Sequence, residues 1–203
     1  MKRLPKILNI LFRLVVIPAV FSSLFFFNSC APSRMGSAIY PNADYPLTND
    51  TAYSASSDLT FRIPRGWVRA EAGKNEPIDL WLIRSDFSAT LNLVALSADS
   101  IFKSQPAEDS LALVLNYSRQ LKINRLGQAY KAVREDEYFK FSNKRFGAYE
   151  YEGTEGLPVR VVIFNYKGKY FEFSAVPTQS VGQGKVDPKD LFRVQQTLIA
   201  TIR

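Results

Sequence analysis

The sequence predicts an α+β domain: an antiparallel β-sheet of about seven to eight strands covered by two main helices. Three observations carry this. From Asp58 onward, short runs of alternating apolar and polar residues are separated by turn residues, the period-2 signature of strands. Two longer stretches, 106–127 and 187–203, switch to helical spacing. The links between strands are hairpin-short, which antiparallel pairing permits and parallel pairing does not.

In order, Phe61 and Ile63 alternate with Thr60 and Arg62, and Pro64-Arg65-Gly66 supplies a turn before Trp67 restarts a strand that runs to about Glu71. Strands follow at 80–83 and 91–96. In the second of these, Leu91, Leu93 and Ala95 share one face while Thr90, Asn92, Val94 and Leu96 share the other, so it is expected to be central and covered on both sides. The run around Trp81 reads the same way. Leu111, Val114, Leu115, Ser118 and Leu121 then recur at helical spacing, with Pro106 in the opening turn and Gly127 as C-cap. Strands return over 130–141, 146–152, 157–166 and 170–176, with hairpin turns at Asn143 and Lys167-Gly168. The last helix has Asp187 as N-cap, Pro188 at its first position and Asp190 in its first turn. Leu191, Val194, Leu198 and Ile202 form its packing stripe, widened by Phe192 and Ile199. The order is four strands, helix, four strands, helix, with no 20–50-residue repeat.

Ahead of this domain, residues 58–203, the chain changes character twice. Residues 1–13 carry Lys2, Arg3, Lys6 and Arg13 with no acid, and 14–27 form an apolar run broken only by Ser22 and Ser23. Residues 1–29 read as a signal peptide, since the apolar run is shorter than the ~20 residues that span a bilayer. The only cysteine, Cys30, ends this segment. Phe27-Asn28-Ser29-Cys30 resembles the lipobox of bacterial lipoproteins, although Phe27 stands where Leu is usual. The resemblance implies cleavage between Ser29 and Cys30 and acylation of Cys30, which anchors the chain to a membrane. Ala31 replaces the Asp that resembles an inner-membrane retention signal, so the expected location is the periplasmic face of the outer membrane. Residues 30–57, rich in Ser, Thr, Asn, Asp, Gly and Pro, are expected to be a flexible tether with an r.m.s. reach of roughly 30 Å.

Composition narrows the chemistry. The 203 residues include no His, which removes Ser-His-Asp and Cys-His nucleophiles, His-ligated zinc and haem, and a His proton shuttle. The formal charge of +7 falls to +3 once 1–29 is removed, and the remaining bases are scattered, so nucleic acid is not an expected partner. Ser100 and Lys103 match Ser-x-x-Lys, but such a pair is expected about once by chance in this composition, and its companion motifs are missing. Glu135, Asp136 and Glu137 on one strand and Glu150, Glu152 and Glu155 on the next are the candidate acids, as oxygen ligands or as a carboxylate pair. Only Glu135/Glu137 and Glu150/Glu152 share faces. Lys131, Arg134, Lys140, Lys144 and Arg145 lie close in sequence, and a solvated hairpin face with cross-strand ion pairs is the favoured reading. Gly182-Gln183-Gly184-Lys185 reads as a linker. The many Tyr rings, with Trp67 and Trp81, read mostly as core, and any exposed ones as a partner-binding patch.

Phe61-Arg62-Ile63-Pro64-Arg65-Gly66-Trp67 resembles the opening strand and turn of PsbP-like domains. Phe146-Gly147-Ala148-Tyr149-Glu150-Tyr151, Lys169-Tyr170-Phe171-Glu172-Phe173 and the closing helix are similar to later elements of the same superfamily. The resemblance covers 58–203 and implies an α/β/α sandwich, roles in binding and complex assembly, and no shared catalytic residues. The expected function is a non-catalytic, membrane-anchored binding or assembly accessory lipoprotein of the bacterial cell envelope, with an envelope protein as partner. The alternatives are a carboxylate-dependent periplasmic hydrolase and a small-ligand or lipid receptor with an apolar cavity. No cofactor and no metal are expected.

Overall fold

The computed structural model describes residues 38–73, 76–97, 107–153, 156–178 and 186–202, all within one compact unit, Met35–Arg203. The expected signal peptide, 1–29, with Ser29, and Cys30, Ser100, Lys103, Glu155 and the expected linker at 182–185 lie outside the described residues.

Among the described residues the strands are β1 (Leu47–Tyr53), β2 (Thr60–Pro64), β3 (Trp67–Ala70), β4 (Ile78–Arg84), β5 (Ala89–Leu96), β6 (Lys131–Ala132), β7 (Glu137–Phe141), β8 (Lys144–Glu152), β9 (Pro158–Tyr166) and β10 (Lys169–Pro177). Helix α1 is Ala107–Leu126 and helix α2 is Pro188–Ala200. The main sheet is antiparallel in the order β3-β4-β5-β10-β9-β8, with β6 and β7 both pairing β8 at its edge. Strands β1 and β2 form a separate two-stranded ribbon.

Strand β9 shows how the period of two builds both layers. Val159, Val161 and Ile163 point to one face, where they meet Leu111, Val114 and Leu115 of α1 together with Tyr149 and Tyr151. Val162 and Phe164 point to the other, into the cluster containing Leu191, Phe192, Val194, Leu198 and Ile199 of α2. That second cluster holds Phe61, Phe139, Phe146, Phe164, Phe171 and Phe173, each at most 1% exposed. At roughly 1.5–3 kcal/mol per buried ring, the α2 face carries most of the hydrophobic stabilisation. On the opposite face, a Cβ at Gly147 would stand 2.7 Å from Leu115 Cδ1, so α1 approaches β8 where only glycine fits without adjustment.

The turns follow the local chemistry. Lys167 and Gly168, both at positive φ, make the tight β9–β10 hairpin, and Gly127 at φ +56° ends α1. Asp187 caps α2 by accepting from Lys189 N at 2.9 Å.

Four expectations change. The tether expected over 30–57 is folded from residue 38 on: β1 pairs β2 antiparallel, Ala52 is fully buried, and Ala38, Tyr40, Tyr45 and Leu47 pack on the α2-face core. Sparse apolar residues sufficed because each inserts into a seam that other elements have already built. The domain accordingly has a strand before the first one expected. The strand expected over 130–141 is broken across 133–136, where Arg134 and Asp136 turn aside to Glu150 and Arg119. In β5, Ala89, Leu91 and Leu93 are fully buried while Thr90, Asn92 and Val94 are only half-buried, because α1 lies over β8 and β9 rather than over β5. The α1 stripe likewise omits Leu121, which is exposed, and continues through Leu126.

Candidate functional site

Strands β7, β8 and β9 are neighbours, and their register decides which charges meet. Glu137 lies opposite Ala148 and Glu150 lies opposite Arg160. Opposed residues point to the same side, and Ala148 and Glu150 are two apart. Glu137, Glu150 and Arg160 therefore converge on the α2 face of the sheet.

They are buried there: Arg160 is 0%, Glu150 3% and Glu137 9% exposed. Arg160 is the centre. Its Nη2 donates to Glu137 Oε2 at 3.0 Å, and its Nη1 donates to Gln195 Oε1 at 3.0 Å and Gln196 Oε1 at 3.1 Å, both on α2. Its Nε faces Glu150 Oε1 at 3.7 Å, an ion contact too long for a hydrogen bond. Arg134 Nε reaches the other Glu150 oxygen at 3.0 Å. Two arginines thus meet two carboxylates, and the cluster is balanced in charge.

The segment after Ala38 closes this cluster. Ile39 N donates to Glu137 Oε1 at 2.5 Å. The Tyr40 ring lies 5.1 Å from the Arg160 guanidinium and 5.7 Å from that of Arg134, with its edge against Phe192 at 5.4 Å. Further along, Asp44 Oδ1 accepts from Arg193 Nε at 2.7 Å, Tyr45 N donates to Thr197 Oγ1 at 3.1 Å, and Tyr45 OH donates to Arg65 O at 3.1 Å. Residues 38–46 are held as a clamp over the seam between β7, β9 and α2.

Burial raises the Glu150 carboxyl above its ordinary value; Arg134 and Arg160 oppose the shift, and Glu137 adds to it. Burial also raises the Tyr40 phenol, with Glu150 the next cause. Burial works against the charge of Arg160, which Glu137 and Glu150 counter.

Of the four acids singled out from sequence, the structure brings together Glu137 and Glu150. Glu135 is exposed, and Glu152 makes the expected cross-strand pair with its register partner Lys131 at 3.1 Å. The solvated-face reading is therefore corrected for Glu137 and Glu150, which lie in the interior. Sequence reasoning missed Arg160 and counted Tyr40 only among the many Tyr rings. Arg160 carried a signal: it interrupts the apolar run Val159-Arg160-Val161-Val162-Ile163-Phe164 of a strand covered on both faces, where a charge needs partners.

Glu172 marks a second polar centre on the α1 face. It accepts from Ser118 Oγ at 2.6 Å, Lys122 Nζ at 2.6 Å and Ser174 Oγ at 3.0 Å, and Ser118 Oγ also bonds Tyr149 OH at 2.8 Å. Burial, with Glu172 next, pushes the Tyr151 phenol up to about 12. Among the described residues, no group of three acids converges as a metal ion would require. Most of the described rings are core, as expected, and the exposed aromatics among the described residues are Tyr53 and Phe87. An open groove of about 430 Å³ lies above the clamp, lined by Tyr40, Pro41, Asn42, Arg134, Lys189 and Arg193 among others.

No protein-family model and no curated protein matches the chain. Solved structures do. The solution structure of cyanobacterial PsbP (CyanoP) from Synechocystis sp. PCC 6803 superposes with a TM-score of 0.54 at 13% identity, covering 87% of this chain and 97% of that one. A Bacteroides thetaiotaomicron structure (TM-score 0.35, 15% identity, 79% of this chain and 48% of that one) and the Pseudomonas aeruginosa protein of unknown function PA94 (TM-score 0.39, 13% identity, 78% and 96%) are more distant. At such identity the likeness to CyanoP concerns the fold alone. The fold is thus PsbP-like, an antiparallel sheet with one helix on each face.

Proposed function

We propose that this protein is a non-catalytic, membrane-anchored accessory of the bacterial cell envelope that binds or assembles with an envelope protein. One observation carries the non-catalytic part: two of the four candidate acids, Glu137 and Glu150, are engaged by Arg160 and Arg134 and are buried, Glu150 at 3% exposure. A carboxylate pair working on a glycosidic bond needs one acid free to donate and the other free to attack or to activate water. Here both hold structure together. The anchor rests on the lipobox-like residues ending at Cys30 and the periplasmic, outer-membrane location on Ala31; the binding role draws on the PsbP-like fold as analogy.

The test is crosslinking in the native membrane followed by pulldown through the domain, with palmitate labelling in parallel. A discrete crosslinked partner and labelling abolished by Cys30→Ala are expected. Labelling that persists in Cys30→Ala overturns the anchor. Recovery of free monomer alone, together with a hydrolytic activity abolished by Glu150→Gln, overturns the accessory role.

A further inference from the structure

We propose that the clamp formed by residues 38–46 orients the domain on the bilayer, holding the groove face around the start of α2 towards the lipid surface. The inference rests on the lipid anchor at Cys30 proposed above. Ile39, the first of the described residues with a hydrogen bond into the domain, is nine residues beyond Cys30. Nine residues span at most about 30 Å when fully extended. Were the clamp open, the first fixed element would be β1 at Leu47, seventeen residues from Cys30, with a maximal reach of about 60 Å. Closing the clamp therefore halves the leash and fixes which side of the domain it leaves from.

The fixed side is the groove side. Tyr40, Pro41 and Asn42 line it with Arg134, Lys189 and Arg193. The β7–β8 turn at Asn143 lies six residues along from Glu137, about 20 Å farther from the clamp. Surface charge does not set the orientation. Arg193 is paired with Asp44 and Lys131 with Glu152, and Asp190 sits beside Lys189 in the groove lining, so the face has no clear excess of positive charge. The contacts that close the clamp are partly sequestered from solvent, the Ile39–Glu137 bond and the Tyr40–Arg160 contact above all, and such contacts are screened little by salt. Orientation by the leash should therefore survive high ionic strength, whereas orientation by charge should not.

A fluorescent unnatural amino acid is placed at position 189 or at position 143 of the full chain, and the membrane-bound protein is reconstituted in phosphatidylcholine vesicles carrying a headgroup-attached acceptor. Energy transfer is expected to be greater from 189 than from 143, with the difference unchanged in high salt. The double variant Tyr40→Ala/Asp44→Ala is expected to abolish the difference while retaining a cooperative thermal transition. Equal transfer from the two sites in the parent chain, or a difference that persists in the double variant, overturns the proposal. An N-terminal mass without acyl groups defeats the anchor reading instead. In that case the same variants, coupled to a maleimide lipid through Cys30, still test the clamp by the same two outcomes.

Discussion

Replacing Arg160 with methionine is the sharpest perturbation of the buried cluster. Methionine approximates the length of the stem but removes the charge, leaving Glu137 with the Ile39 amide as its remaining polar partner and Glu150 with Arg134 and the Tyr40 hydroxyl. Removing one member of a buried, hydrogen-bonded ion pair costs about 3–5 kcal/mol, because the remaining charge is left in the interior. For a chain of this size each kcal/mol moves the melting temperature by roughly 2–4 °C, so a drop on the order of 6–20 °C is expected. Urea denaturation followed by tryptophan fluorescence and thermal melting by circular dichroism measure it. Adding Glu137→Gln and Glu150→Gln to Arg160→Met should recover much of the loss, since no uncompensated charge then remains at those positions. Lys131→Met is the control: its pair with Glu152 is exposed and should matter little. If Arg160→Met shifted the midpoint no more than Lys131→Met, the cluster would not be the buried centre described here.

Other outcomes follow from the same structure. Because the Glu150 carboxyl is raised in the fold, its contribution is fully present below the unfolded value of about 4.3 and is lost as pH rises through the raised folded value. The stability of the parent relative to Glu150→Gln should therefore fall as pH climbs from about 4 towards neutrality, and a difference that grows over that range would refute the shift. Leu93→Asp, at a fully buried position, should abolish folding, whereas Val94→Asp on the half-covered face should leave a cooperative transition at a lower urea midpoint. Equal midpoints would show that both faces of β5 are closed. A chain beginning at residue 38 should unfold cooperatively, while one beginning at residue 58 loses β1 and its cover over Phe61, and should show a lower midpoint or aggregate.

The elements legible in the sequence were those whose own residues dictate them. Asp187-Pro188 announced α2, Gly127 ended α1, and Lys167-Gly168 made a hairpin because their conformations are written locally. Strand alternation gave the faces of β9 and β10 for the same reason. What escaped depended on partners distant along the chain. Residues 38–53 look like a linker on composition, and they are ordered by contacts with Thr197, Arg193 and Glu137, over 90 residues away. The acids of β7 and β8 were seen, but the charges around them in sequence suggested a wet surface. Their burial is set by Arg160 on the neighbouring strand, and it places Glu137 and Glu150, rather than same-strand pairs, beside each other. Glu172 between Phe171 and Phe173 carried the same kind of signal as Arg160, a charge inside an apolar run. The cover over β5 could not be read because it depends on where α1 crosses the sheet.

The central claim is that the carboxylates Glu137 and Glu150 serve to fasten the segment 38–46 onto a domain of PsbP-like fold. The most direct measurement is amide hydrogen exchange at Ile39 and Tyr45, whose N–H groups donate to Glu137 and Thr197. Protection of both amides to a degree comparable with β1, with that of Ile39 lost in Glu137→Ala while the strand amides stay protected, is the predicted result. Exchange of Ile39 and Tyr45 at the rate of an unstructured chain would contradict it.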